Sequence, residues 1–144
     1  MKKEVIMEIV GSQRIDSQSD KIEMTTVGIL DESESEYVFR YNEEQEPPMP
    51  PVRATVRLAK DGSRVEITRS GSVGSCLVIE RSKRNLCRYG TQYGDVLMGI
   101  FGNSIEMQIE GAEGSCHFGY DIDINGTLTS RNELDMKFRE NGAG

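Results

Sequence analysis

The chain has 144 residues and a globular composition, with 36% hydrophobic and 28% charged side chains. Its formal net charge of −7 argues against non-specific binding to nucleic acid. No segment approaches the ~20 consecutive apolar residues of a membrane span, and Glu4 and Glu8 interrupt the first apolar run. We therefore expect a single domain over 1–144, with no secretory signal and no association with a membrane.

The elements that follow along the chain are strands, because apolar residues recur at every second position. The run "VRATVRL" from Val52 to Leu58 alternates in this way, and the Asp61-Gly62 turn leads into a second alternating run. No window has the spacing of a helix over a helical length. The predicted strands are 3–11, 21–30, 36–42, 52–59, 64–70, 73–81, 85–91, 95–102, 104–111, 115–124 and 127–138. Such a chain forms an all-β fold, either an antiparallel sandwich or a closed barrel. Consecutive hairpins favour a closed antiparallel up-and-down barrel of about 8–10 strands, because closure removes exposed edges.

The link "EEQEPPMPP" departs from this pattern. Its four prolines favour a stiff, extended segment, and the P-x-x-P spacing occurs twice. A rigid surface loop between strands is the first interpretation, and a ligand for an SH3-type domain is the alternative.

Charge is unevenly distributed along the chain. Residues 1–51 carry 5 basic and 12 acidic side chains, residues 52–90 carry 9 and 3, and residues 91–144 carry 3 and 9. Two interpretations remain open: the basic segment pairs with acidic neighbours across the sheet, or it binds an anion. The three cysteines are widely spaced and lack a C-x-x-C motif, which indicates reduced thiols in a cytoplasmic protein.

The stretch "DIDINGTLTSRNE" resembles the start of a calcium-binding loop. The twelfth position from Asp121 is Asn132, however, where a bidentate carboxylate is required, and the flanking residues alternate as in a strand. We interpret the stretch as a hairpin turn and predict no metal site. Since Leu128 shares the parity of Ile122, we predict a three-residue loop that contains Asn125 and Gly126.

Candidate ligand-binding residues follow from parity. Arg69 continues the inward face of Val65 and Ile67, where it could hold a carboxylate or phosphate, or simply extend to water. Tyr89, Thr91 and Tyr93 share one face and could line a cavity or pack in the core. His117 lies on the polar face of its strand, which indicates a surface histidine rather than a haem ligand. We find no catalytic motif, no catalytic residue and no cofactor signature.

The pieces "TRSG", "YGTQYGDV" and "CHFGYDIDINGTLTSRNELDMKF" together resemble the YwiB-like family of uncharacterised bacterial proteins, over roughly residues 3–138. Many members of that family have proline where this chain has Gln92. The resemblance implies a calycin-like, that is lipocalin-like, closed β-barrel in the cytoplasm. It implies no catalytic residues, since the family has no established function.

Three functional hypotheses result. The first is a non-enzymatic module that binds a small apolar or anionic ligand through Arg69 and the tyrosines, and it predicts an internal pocket of roughly 300 Å³ or more. The second is a protein-interaction module with a barrel filled by side chains. The third is an enzyme, for which a buried carboxylate beside Arg69 would be the first sign. The sequence does not determine the oligomeric state.

Overall fold

The protein folds into ten antiparallel strands. The structure, a computed structural model, describes residues 1–43, 48, 50–70, 75–91 and 94–142, with the backbone alone at 75 and 89–91. Within this part of the chain every regular element is a strand. The strands are β1 (Lys2–Ile15), β2 (Gln18–Glu32), β3 (Glu36–Glu43), β4 (Val52–Ala59), β5 (Arg64–Ser70), β6 (Ser75–Glu80), β7 (Arg84–Thr91), β8 (Gly94–Glu110), β9 (Glu113–Ile124) and β10 (Thr127–Glu140).

Each strand pairs with the next one along the chain, and β10 returns to pair with β1. This order closes the sheet into an up-and-down barrel, as the alternation of apolar residues predicted. The seam between β2 and β3 is short, from Ile29 to Glu32, whereas β1 and β2 form a long hairpin. Closure leaves the sheet without an open edge, since in a barrel nearly every backbone donor has a neighbouring acceptor.

Two predicted strands, 95–102 and 104–111, are one strand in the structure. Strand β8 runs through Asn103, where a bulge shifts its register against β9. Gly102 beside the bulge approaches the carbonyl of Glu80 so closely that a Cβ there would collide with backbone. The glycine therefore marks a close crossing within a continuous strand and not a turn between two strands.

The middle of the barrel is filled by inward side chains. Val56, Leu58 and Val65 are fully buried, and the largest buried side chains are Phe39 and Phe118. The rings of Phe39 and Phe138 meet edge to face at 4.9 Å between centroids. Burial of this continuous apolar surface supplies the main driving force for folding, at about 1.5–3 kcal/mol for each large side chain.

The β9–β10 turn corrects our loop prediction. Ile124 pairs with Thr127, so the loop has two residues, Asn125 and Gly126, with φ of 53° and 83°. These positive angles are those of a type I′ turn. The predicted three-residue loop is therefore wrong: Leu128 does lie opposite Asp123, and 51% of its surface is exposed. A bulge between Leu128 and Ser130 then shifts the register by one residue, so that Ser130 and the alternate residues after it face the core.

The basic segment 52–90 is matched within the molecule. Arg57 pairs with Glu36 at 3.1 Å and Lys60 pairs with Glu32 at 2.6 Å, both partners lying in the acidic first third of the chain. Further ion pairs join Arg69 to Glu43, Arg84 to Asp123 and Arg88 to Asp95. Of the two interpretations of the charge pattern, the structure favours cross-strand pairing.

The three cysteines are free thiols. Burial raises the pKa of the Cys116 thiol to about 12, so this thiol stays protonated and unreactive. Among the described residues we find no helical segment that could span a lipid bilayer.

Candidate functional site: the polar mouth of the barrel

One end of the barrel is polar inside. Strands β3, β5, β7 and β9 all end there, at Glu43, Ser70, Thr91 and Ile124. The inward residues at this end are mostly polar, in contrast to the apolar middle of the barrel. We call the group Tyr41, Glu43, Arg69, Tyr120 and Asn132 the mouth residues.

Arg69 occupies the inward position that its parity predicted. It lies in a cross-strand row with Ala54 and Tyr41 on β4 and β3. Because the Ala54 side chain is only a methyl group, the guanidinium passes over β4 and donates a hydrogen bond from Nε to Glu43 Oε1 at 2.8 Å. Both partners are about two-thirds buried. The ion pair leaves the Nη groups of Arg69 without a hydrogen bond to the described residues.

Sequence reasoning missed Glu43, because parity assigns a residue to a face and does not choose its partner on another strand. The proposed first sign of an enzyme was a buried carboxylate beside Arg69, and Glu43 is a partly buried carboxylate at that place, with 28% of its side chain exposed. Its Oε1 is taken by Arg69, so this carboxylate is already engaged as a structural ion pair.

Two tyrosines face the ion pair. Burial raises the pKa of Tyr41 to about 12, with the charge of Glu43 adding to the effect and that of Arg69 opposing it. Burial also raises the pKa of Tyr120, again against the opposing charge of Arg69. Both phenols are therefore neutral near pH 7 and keep a hydroxyl group that can donate a hydrogen bond. The parity of Cys116 and Phe118 already placed Tyr120 on the inward face, and that signal could have identified it.

Asn132 and Ser130 add a buried polar pair on β10. Asn132 is only 9% exposed, and its Nδ2 donates to Ser130 Oγ at 3.0 Å. The amide oxygen has no hydrogen-bond partner among the described residues. Polar groups at inward positions are costly unless they are satisfied, and among the described residues no fully buried side-chain nitrogen or oxygen lacks a hydrogen-bond partner.

Three of the mouth residues line an open cavity of about 420 Å³. Arg69, Tyr120 and Asn132 line it from β5, β9 and β10, and Gly11, Ile22 and Leu134 form the apolar part of its wall. The rest of the lining is polar or charged: Ser12, Gln13, Asp20, Lys21 and Glu133. Its volume exceeds the predicted 300 Å³, but it is a cleft at the mouth and not the internal pocket that we predicted. The reason is the large side chains that fill the middle of the barrel.

The other candidate residues are only partly located. The backbone register aligns Arg69 with Ser75 and Ser75 with Tyr89, so Tyr89 belongs to the same cross-strand row. Thr91 ends β7 at this end of the barrel. The side chains of Tyr89 and Thr91, and the whole of Tyr93, lie outside the described residues, and their role as ligand contacts stays a prediction.

His117 lies on the outer face, as its parity predicted. Its Nδ1 is 2.7 Å from Asp135 Oδ1, and its Nε2 is 3.7 Å from Glu133. Among the described residues no group of three His, Cys, Asp or Glu side chains is arranged to hold a metal ion.

Fold and mouth together define a ten-stranded antiparallel β-barrel with a polar, open end. A family model described as a domain of unknown function, DUF1934, matches residues 7–136, and the chain belongs to this family. The crystal structure of the YwiB protein from Bacillus subtilis is similar, with a TM-score of 0.82 and 16% identity over 96% of this chain and 92% of that chain. At this identity the likeness shows the fold alone, and it agrees with the YwiB-like resemblance of the sequence. No curated protein matches the chain.

Proposed function

We propose that this protein is a non-enzymatic module that binds a small molecule at the polar mouth of its barrel. The observation that carries the proposal is the convergence of Arg69, Tyr120 and Asn132, from three strands, on one cavity of about 420 Å³. This volume is in the range of roughly 300–1,000 Å³ that is typical of ligand sites, where a few polar groups orient a ligand against apolar walls.

The chemistry of the cavity suggests the form of the ligand. Leu134, Ile22 and Gly11 offer apolar contact, while the Arg69 guanidinium and the Tyr120 hydroxyl offer hydrogen-bond donors. A compact molecule with an apolar body and an acceptor head group, such as a carboxylate, fits this arrangement. The anionic head would share the guanidinium with Glu43, in a charge-assisted hydrogen bond.

Binding is better supported than catalysis at this site. The tyrosines with raised pKa values are weak proton donors and acceptors near pH 7, and Glu43 is engaged by Arg69. The free cysteines support a location in the reducing cytoplasm, which we include in the proposal.

A protein-interaction module is the second candidate. It is favoured by the filled middle of the barrel and by large apolar side chains that are exposed on the outer face of β7 and β8, among them Leu86 and Leu97.

Native mass spectrometry of protein purified from its own host tests the first proposal. We expect an added mass on the folded protein that is absent from the denatured control. The variant Arg69→Ala should lose this mass, and Arg88→Ala, which removes an exposed arginine from the outer face, should keep it. Because Arg69→Ala leaves Glu43 unpaired, the double variant Arg69→Met/Glu43→Gln provides a better-folded second test. Retention of the mass by both mouth variants would refute the assignment of the site.

A further inference from the structure

The outer face of β7, β8 and β9 carries three parallel stripes of different character. Outward residues of β7 include the exposed bases Arg84 and Arg88. Outward residues of β8 include Leu97 and Phe101, which are 52% and 38% exposed. Outward charges of β9 are acidic. We call this surface the striped face; it comprises Arg84, Leu86, Arg88, Leu97, Gly99, Phe101, Asp121 and Asp123.

An ion pair crosses the middle stripe. Arg84 lies two strands from Asp123, and its Nε and Nη2 donate to the two carboxylate oxygens at 2.8 and 2.7 Å. The guanidinium occupies the space above Gly99 that a side chain would otherwise fill. A Cβ on Gly99 would collide with both Arg84 and Asp123. Asp123 also accepts the Gly126 N–H at 3.1 Å. The pair is thereby fixed in one geometry, with Leu97 and Phe101 as apolar projections on either side of it.

From this arrangement we infer that the striped face is a homodimer interface, and that its occupant is a second copy of this chain. The order basic, apolar, acidic is self-complementary under a two-fold axis that runs along β8. Such an axis brings β7 of one copy over β9 of the other, so that Arg84 faces Asp121 of the second copy in the same cross-strand row. The apolar stripe meets itself, with Leu97 opposite Leu97 and Phe101 opposite Phe101.

The surface chemistry is that of an interface centre. An arginine that is held by a bidentate carboxylate and surrounded by apolar side chains often contributes strongly to binding at protein–protein interfaces. Its orientation is already set before the partner binds. Strand and residue spacings give the apolar stripe, together with Leu86, a surface area on the order of 300 Å². This is the size of a functional apolar patch on a monomer. Because the outside of a barrel is convex, the total contact stays below about 1,200 Å², which places the dimer in the weak, reversible class.

Sedimentation velocity over a range of about 10 to about 500 μM tests the inference, since a weak dimer has a dissociation constant in the micromolar range. Wild type should shift from monomer to dimer with concentration. Leu97→Asp places two carboxylates at the axis and should weaken the dimer at least about tenfold. Ile22→Asp changes an exposed apolar residue on β2, outside the striped face, and should leave it unchanged. A monomer at every concentration, or equal effects of the two variants, would overturn the inference.

Two further variants test the axis itself. Under mild oxidation the Leu97→Cys variant should form a disulfide between the introduced cysteines of the two copies. Wild type, which has only its native thiols, should form no disulfide between copies, and neither should Ile22→Cys. Asp121→Arg places like charges opposite Arg84 of the second copy and should weaken the dimer. Glu113→Arg makes the same charge change at the start of β9 and should have no effect. Equal cross-linking of the Ile22→Cys variant, or a dimer indifferent to Asp121→Arg, would refute an axis along β8.

Discussion

The close crossing at Gly102 gives a sharp test of the barrel. A Cβ at this position would collide with the carbonyl of Glu80, and the obstacle is backbone, which cannot swing aside as a side chain would. The crossing is also fixed by hydrogen bonds: Gly102 N–H donates to the Lys83 carbonyl at 3.2 Å, and the Gly102 carbonyl accepts from Ser82 N–H at 2.9 Å. Gly102→Ala must therefore separate two segments that are bonded to each other.

The magnitude follows from three contributions. Overpacking costs about 1–3 kcal/mol, and each weakened backbone hydrogen bond costs about 0.5–1.5 kcal/mol. Reduced freedom of the unfolded chain offsets about 0.4–1 kcal/mol. We expect a net destabilisation of about 2–4 kcal/mol.

Urea unfolding monitored by circular dichroism measures this free energy. With a slope of about 2 kcal/mol/M, the midpoint should fall by roughly 1–2 M at unchanged slope. Gly11→Ala is the matched control, because a Cβ there meets only Leu134 Cδ1, at 3.9 Å. It should be neutral or stabilising. If Gly102→Ala unfolds at the same urea concentration as Gly11→Ala, the close crossing is not a constraint on the fold.

Three other predictions concern the turn, the outer ion pair and the mouth. Gly126 has φ of 83° and no atom within 4 Å of a built Cβ, so Gly126→Ala should cost about 1–2 kcal/mol in urea unfolding, from backbone strain alone. The hydrogen bond from Arg84 holds the pKa of Asp123 below its ordinary value of 3.8. The pair therefore stabilises the fold above that pH and loses its effect as pH falls through the folded pKa. Asp123→Asn should accordingly be less stable than wild type at pH 7, and the difference should close in acid. Finally, phenolate absorbance of the wild type should show a late titration phase near pH 12, and Tyr41→Phe should remove it. Persistence of that phase in the variant would assign it to another tyrosine.

The sequence determined the barrel because its evidence is local and repeated. Alternation such as that of "VRATVRL" reports on a single strand, and eleven such segments joined by turns leave few architectures. The prediction from sequence failed at places where one extra residue shifts the alternation of inward and outward side chains. Parity alone could not distinguish a longer loop at Asn125 from a two-residue loop followed by a bulge at Thr129, since both restore the same face. The same ambiguity divided β8 into two predicted strands at Asn103.

The mouth was less predictable, for a related reason. Parity found Arg69 because only its own strand is needed to assign a face. It could not identify Glu43 as the partner of Arg69, because Glu43 is 26 residues away and reaches Arg69 across β4. Asn132 has the inward parity of Leu134 and Met136, but parity could not show that it meets Arg69 and Tyr120 at one cavity. Such contacts depend on which strands become neighbours and on how far Ala54 lets the guanidinium pass. They are properties of the closed sheet and not of any one strand.

Strand β9 links the mouth and the striped face, and its alternation makes the two proposals separable. Tyr120 points into the barrel toward Arg69, whereas Asp121 lies on the outer face, in the row of Arg84. Adjacent side chains on a strand point to opposite faces, so a substitution at one of these positions need not change the other surface. Arg69→Ala should therefore abolish ligand retention and leave the monomer–dimer equilibrium unchanged, while Leu97→Asp should do the reverse. If both variants impaired both properties, one common defect in folding would be the better explanation, and circular dichroism of the two variants would reveal it.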